Sequence, residues 1–320
     1  MKPTMDDLLK EWGDRFYYPA SHTRQGRNIQ GGCAFSYKPS SSTHPSTLQH
    51  KFALTINKAP EVMVKITGGG KNMKHIKAHF DYISRQGELK LEDENGEIYQ
   101  GIDEVKMAST LWAQGKIPIP LTGEKRREAL NLVLSMPAGT DRIGVEQAAR
   151  LFAAEQFNHH QYVFTAHHDE AHPHVHLLVK MTDKCGVRLN PRKRDLQQWR
   201  EHFAAKLREQ GVAANATPCL ARGVRHQSKK YTTYLTEKRA PKSPVHTEKR
   251  LPSIKPFSEN QNLPIPLYVK AVGMLMHLPE KENRQFALRI VQFLLTMPSY
   301  KTLQKTKEIA KPPTLVEKEK

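Results

Sequence analysis

Seven of the sixteen histidines lie between His159 and His176, and the densest part reads His167-His168-Asp169-Glu170-Ala171-His172-Pro173-His174-Val175-His176. Residues 161–168 and 174–181 are β-prone and joined by a short polar loop that ends in proline, a hairpin pattern. Side chains alternate across a strand, so His174 and His176 share one face while Val175, Leu177 and Val179 take the other. If the neighbouring strand turns His167 to that face with Thr165 and Val163, three imidazole nitrogens converge with coordination positions to spare. That is the donor set of a catalytic metal site. A histidine-rich surface hairpin is the plain alternative, and the spacing of the trio beside an acid favours the metal.

A metal among imidazoles in a basic chain points to chemistry on phosphates, where the ion polarises a non-bridging oxygen. The nucleophile decides the outcome. Water would give hydrolysis, and a tyrosine phenolate would give a transesterification that keeps the broken strand attached. Tyr82, next to Asp81, is the best candidate. The pattern predicts a helix over 72–86 ending before Gly87, with Met73, Ile76, Phe80 and Ile83 as its core stripe. On a wheel of 100° per residue Tyr82 lies roughly 130° from the centre of that stripe, so its hydroxyl is expected outside the core. The ordinary alternative is a half-buried packing tyrosine. Tyr17 and Tyr18 are rival nucleophiles in weakly patterned sequence.

The 320 residues carry a net charge of +18, and residues 221–320 hold 20 Lys/Arg against 8 Asp/Glu. Such a balance implies a polyanionic partner. Cys33, Cys185 and Cys219 are odd in number and widely spaced, which indicates neither a disulfide framework nor a zinc ribbon and fits a reducing cytoplasm. No apolar run reaches the roughly 18 residues of a membrane span, and the first residues carry acids where a signal peptide would be apolar.

These groups need a scaffold. A strand over 62–67 runs into Gly68-Gly69-Gly70, the helix of Tyr82 follows, and a polar turn at Asn95-Gly96 precedes a helix near 103–114. A second strand over 129–136 puts Leu130, Leu132 and Leu134 on one face and Asn131, Val133 and Ser135 on the other. A helix capped by Thr140 or Asp141 follows, then the histidine hairpin, an edge strand at 186–189, and a helix from Asp195 with Leu196, Trp199, Phe203 and Leu207 inward. This order predicts an α+β fold, a mostly antiparallel central sheet with helices packed on one face and the other open for a site. Residues 1–60 are expected to be a loosely ordered extension with a short helical start, 61–223 the catalytic domain and 224–264 a basic linker. Residues 265–300 are expected to form a small helical hairpin, and 301–320 a disordered basic tail.

Three segments, VMVKITGGGKNMKHIKAHFDYISRQG, LVLSMPAGTD and YVFTAHHDEAHPHVHLLVK, resemble in order and separation motifs I, II and III of the conjugative relaxases. The resemblance is to the VirD-type or MobP class of plasmid mobilisation nucleases, within the histidine–hydrophobic–histidine endonuclease superfamily. It covers residues 62–222, and the third segment is its most specific part. It implies that Tyr82 attacks the nick-site phosphate of a transfer origin, forming a 5′-phosphotyrosyl bond and releasing a 3′-hydroxyl. It further implies that His167, His174 and His176 hold Mg²⁺ or Mn²⁺, and that Asp169 orients His167 and helps remove the tyrosine proton. Ser135 would contact DNA beside the scissile phosphate, with Lys71 and Lys74 as further DNA contacts. His172 and Asp81 would be supporting groups behind the ligands, and His168 would face away. The implied partners are single-stranded and supercoiled origin DNA, accessory relaxosome proteins and a type IV coupling protein, in the cytoplasm of a plasmid-bearing bacterium. The chain departs from the family in having some sixty residues before the first strand, where Arg24, Arg27 and Lys38 fit a DNA-gripping arm. A rolling-circle initiator or transposase of the same superfamily is the nearest alternative. A non-catalytic basic DNA-binding protein is the more distant one.

Overall fold

The computed structural model describes residues 4–17, 45–115, 117–121, 126–224 and 264–300. The chain divides into two compact units, residues 17–217 and residues 1–16 with 218–320. The proposed arm residues Arg24, Arg27 and Lys38, the basic linker and the tail lie outside the described residues, apart from the linker's two ends.

The larger unit is built on six strands: β1 (Met63–Gly68), β2 (Leu91–Asp93), β3 (Ile98–Tyr99), β4 (Ala129–Ser135), β5 (Tyr162–His167) and β6 (His174–Lys180). They order as β1-β4-β6-β5-β2-β3 and every pairing is antiparallel. The α+β architecture is therefore as expected. One face buries Val64, Leu130, Leu132, Leu134, Val175, Leu177 and Val179 under α5 (Arg142–Gln156) and α6 (Lys193–Glu209). Asp141 caps α5 by accepting from Ile143 N and Gly144 N, which satisfies amides that have no partner within the helix.

The expectation of helices on one face alone needs correction. The helices α3 (Met73–Ile83) and α4 (Ile102–Gln114) pack Met73, Ile76, Phe80, Ile83, Val105 and Trp112 onto Leu91, Ala129, Val163 and Leu178 of the second face. An amphipathic stripe states that a helix has a buried side, not which side of a sheet receives it. The second face stays open only beyond the C-terminus of α3, and the histidines lie there. The glycines before α3 permit this close packing, because a Cβ on Gly69 would strike the Ala129 carbonyl. The Gly70 carbonyl accepts from both Glu128 N and Ala129 N, at 2.7 and 3.0 Å. The expected edge strand at 186–189 is instead a turn carrying a single bridge, Thr182 to Arg188, closed by Asp183 N to Val187 O.

Phe80 is fully buried and meets the Trp112 ring edge-on at 5.3 Å, so it fixes α3, and with it Tyr82, to the sheet. Phe80→Ala is expected to destabilise the larger unit by about 3–5 kcal/mol through lost transfer energy and the cavity left behind. The check is a fall in urea midpoint at constant m; an unmoved midpoint would show that α3 is not anchored there.

Before residue 60 the described residues form two helices, the first at the expected helical start; residues 18–44 of the expected extension lie outside the described residues. In the larger unit, α2 (Pro45–Ile56) buries Leu48, Phe52 and Ile56 and is tied to α6 by Lys51–Glu201 at 2.7 Å. In the smaller unit, α1 (Met5–Phe16) buries Leu8, Leu9, Trp12 and Phe16 and packs with the expected hairpin helices α7 (Ile265–Met276) and α8 (Lys281–Thr296). Trp12 Nε1 donates to Tyr268 Oη at 3.2 Å, and Tyr268 Oη donates to the Ala221 carbonyl at 2.9 Å. The pairing joins segments more than 200 residues apart in sequence, which is why local patterning did not reveal it.

Candidate active site

Antiparallel register sets the histidines in two rows across the open half-face. Met63, Ser135, His174 and His167 are directly opposite one another from β1 through β4 and β6 to β5, and Lys65, Val133, His176 and Thr165 form the next row. The three imidazole rings approach to 5.1 Å (His167–His174), 4.5 Å (His167–His176) and 5.2 Å (His174–His176). One ring nitrogen from each lies within 4.8 Å of the others. The trio expected from alternation is thus brought together.

Hydrogen bonds set which nitrogen two of the rings offer. His167 Nε2 lies 2.7 Å from the Ile83 carbonyl and His174 Nδ1 lies 3.1 Å from the His172 carbonyl. A carbonyl only accepts, so those nitrogens carry the hydrogens and His167 Nδ1 and His174 Nε2 keep free lone pairs. His176 is pushed down to about 3, by burial first and then by the neighbouring His167, His174, His79 and Arg85. Burial also lowers His167, against the bond to Ile83 that raises it. These two rings are neutral near pH 7, the protonation state a metal requires. The Thr165 hydroxyl, beside His176 in the ladder, is buried with no partner among the described residues. Two imidazoles oriented by carbonyls, a neutral His176 and an unsatisfied hydroxyl beside it fit a divalent cation with oxygen ligands completing its shell.

Tyr82 stands at the C-terminal end of α3 with 64 % of its surface exposed. Its ring meets His176 edge-on at 5.9 Å and stacks on His79, also at 5.9 Å and 25° between planes. His79, one turn earlier on α3, is held neutral by burial, its pKa lowered to about 4. Tyr82, Arg85 and the three histidines line one cleft of about 460 Å³. Tyr17 is excluded as a rival nucleophile, since it is buried with its hydroxyl 3.4 Å from Thr217 and Lys51 over its ring; Tyr18 lies outside the described residues.

The helix of Tyr82 ends at Ile83, earlier than expected. Ser84 Oγ accepts from Gly87 N at 3.2 Å, and Arg85 and Gln86 take left-handed φ values of 50° and 58°. The helix end leaves carbonyls without partners in the helix, and one of them, Ile83 O, receives His167. This corrects the role expected of Asp169. Its carboxylate is ion-paired with Arg85 on the exposed β5–β6 loop, and backbone, not carboxylate, orients His167. Asp169 is held below the usual carboxylate range: its own backbone hydrogen bond and then Arg85 outweigh the opposing desolvation.

The remaining expected residues divide. Ser135 is buried in the row of His174, its hydroxyl 3.4 Å from the Met136 carbonyl. His172 supports His174 through its carbonyl, not its ring, and Asp81 lines the cleft. His168 faces away, toward Glu146 at 3.5 Å. Lys71 and Lys74 are exposed around the start of α3; at 1.5 Å per residue Lys74 is about 12 Å along the axis from Tyr82, so neither belongs to the cleft. Sequence reasoning missed His79 and Arg85, though both stand three residues from Tyr82, a spacing that places side chains on neighbouring parts of a helix surface.

Residues 82–212 match the relaxase family, in the description MobA/VirD2-like, nuclease domain. The T-DNA border endonuclease VirD2 of Agrobacterium fabrum is 26 % identical over 195 residues, which is 54 % of this chain and 43 % of that protein. VirD2 of Rhizobium radiobacter is 26 % identical over 183 residues, 51 % of this chain and 43 % of the relative. VirD2 of Rhizobium rhizogenes is 29 % identical over 140 residues, 39 % of this chain and 32 % of the relative. The matches span less than half the length of these curated relatives. The matched segment runs from Tyr82 through all three histidines, so this part of the chain is similar to the nuclease domain of the MobA/VirD2-like relaxases.

Proposed function

We propose that the protein is a DNA relaxase that nicks one strand at a plasmid origin of transfer and rejoins it after transfer. The observation that carries the reading is the exposed phenol of Tyr82 against His176 of a three-imidazole cluster, all in one open cleft. Tyr82 Oη forms a bond to the scissile phosphorus while the bond from phosphorus to the 3′ oxygen breaks. The phenol gives up one proton and the departing 3′ oxygen gains one, so a phosphodiester is exchanged for a phosphodiester. The broken strand keeps its bond energy on Tyr82, and the reverse attack reseals it.

His167, His174 and His176 would hold the cation, and three nitrogen donors suit Mn²⁺ better than Mg²⁺, which prefers oxygen. Once bound, the ion would draw charge from a non-bridging phosphate oxygen. His79 keeps the Tyr82 ring in place by stacking and, being neutral, adds no competing charge. Ser135 pairs with His174 on the neighbouring strand and would touch DNA beside the phosphate. The three relatives are named T-DNA border endonucleases, which supports a DNA substrate here. No helix among the described residues is long and apolar enough to cross a membrane. Action in the cytoplasm with accessory relaxosome proteins and a type IV coupling protein completes the proposal.

The test is incubation of the purified full chain with Mn²⁺ and a 3′-labelled pool of random-sequence single-stranded DNA. Label should migrate with the protein through denaturing electrophoresis and be released by protease. Free cleaved DNA without protein-bound label would indicate hydrolysis, and no label transfer at all would reject the transesterase.

A further inference from the structure

We propose that Arg85 is the phosphate-binding cation of this cleft, releasing the Asp169 carboxylate to hold a non-bridging oxygen of the scissile phosphate; this rests on the transesterase reading above. The first ground is charge. Asp81, Glu88 and Glu170 also line the cleft, and among the described lining residues Arg85 is the one permanent cation. A polyanionic strand entering a cleft with three carboxylates meets repulsion that neutral imidazoles do not relieve. Arg85 supplies the opposite sign in the cleft that Tyr82 lines.

The second ground is backbone geometry. Arg85 and Gln86 are consecutive non-glycine residues in the left-handed region, a conformation that L side chains disfavour because the Cβ crowds the following carbonyl. It is held by Gln86 N to Asp81 O at 2.8 Å, Arg85 N to Tyr82 O at 3.3 Å and Gly87 N to Ser84 O at 3.1 Å. Strain of this kind persists where surrounding contacts impose it, and it concentrates at functional sites. Here the turn sets the guanidinium on the wall that carries Tyr82.

The third ground is the nature of the partner. The Arg85 and Asp169 side chains are 43 % and 49 % exposed, and ion pairs so open to water are weak and readily exchanged. A phosphodiester carries the same single negative charge as a carboxylate, with two non-bridging oxygens that match the planar fork, so it can take the carboxylate's place on the guanidinium. Asp169 thus keeps Arg85 oriented until the strand arrives.

Two measurements test this. In the adduct assay, Arg85→Ala should lower the rate at saturating DNA by about a hundredfold, the loss typical of one donor to developing transition-state charge. The DNA concentration for half-maximal rate should change far less, and Arg85→Lys, which keeps charge but not the fork, should recover part of the rate. Separately, inorganic phosphate titrated in metal-free buffer and followed by ³¹P NMR should bind the wild type at least tenfold more tightly than Arg85→Ala. Equal adduct rates for wild type and Arg85→Ala would overturn the proposal. So would equal phosphate binding, or none by the wild type, whether or not an adduct forms. Absence of an adduct with wild type together with Arg85-dependent phosphate binding would reject the transesterase and keep the anion site.

Discussion

Tyr82→Phe should abolish the protein–DNA adduct while leaving single-stranded DNA binding within a few-fold of wild type. The substitution removes one oxygen and keeps the ring that stacks on His79 and meets His176. Because Tyr82 is exposed, the variant should fold with a stability within about 0.5 kcal/mol of the parent. No other described tyrosine lines the cleft, and the expected loss is at least about 10³-fold in adduct rate, since the nucleophile itself is gone. Gel quantification of adduct beside fluorescence anisotropy of the labelled strand reads both quantities. Persistence of the adduct in Tyr82→Phe would move the nucleophile elsewhere, while collapse of DNA binding would mean that the hydroxyl contributes affinity and not only chemistry.

The site was legible in sequence to the extent that periodicity controls it. A period of two put His174 and His176 on one face, and the wheel put Tyr82 outside the core stripe; both depend only on local geometry. What escaped depends on the approach of distant segments. Ile83 and His167 are 84 residues apart, as are Arg85 and Asp169, and both contacts exist because the end of α3 comes down beside β5. Gly87, at the place of a C′ glycine, makes the sequence pattern run the helix through to Gln86. Ser84, whose side chain bonds to the backbone of Asp81 and Gly87, ends it sooner, as serine side chains that compete for backbone partners do. The resemblance to the relaxase motifs implies that Asp169 orients His167, an arrangement common among metal-bound imidazoles. A helix-terminal carbonyl does that work here, which leaves the acid to Arg85.

The same carbonyl-oriented geometry makes His176 the most informative ligand to remove. It is the ring closest to His167 and also the one against Tyr82, so it links the metal cluster to the nucleophile. His176→Ala leaves two imidazoles, and its loss should weaken Mn²⁺ binding by more than the 10- to 100-fold typical of disturbing groups behind a ligand. A ligand that binds only the folded state stabilises it by RT ln(1 + [L]/Kd), about 2.7 kcal/mol at a hundred times Kd. The wild type should therefore show a Mn²⁺-dependent rise in unfolding temperature that chelation reverses, and His176→Ala should show little of it at the same concentration. Its metal-free stability should not fall steeply, because the deleted ring sits half-exposed on the cleft floor and outside the two buried clusters. Adduct formation should fall to the detection limit even though Tyr82 is intact, whereas Tyr82→Phe should keep the full Mn²⁺ response. That crossed pattern separates loss of the cation from loss of the nucleophile. An undiminished Mn²⁺ shift in His176→Ala would show that the ion binds elsewhere, and an undiminished adduct would show that the phenol reacts without this imidazole.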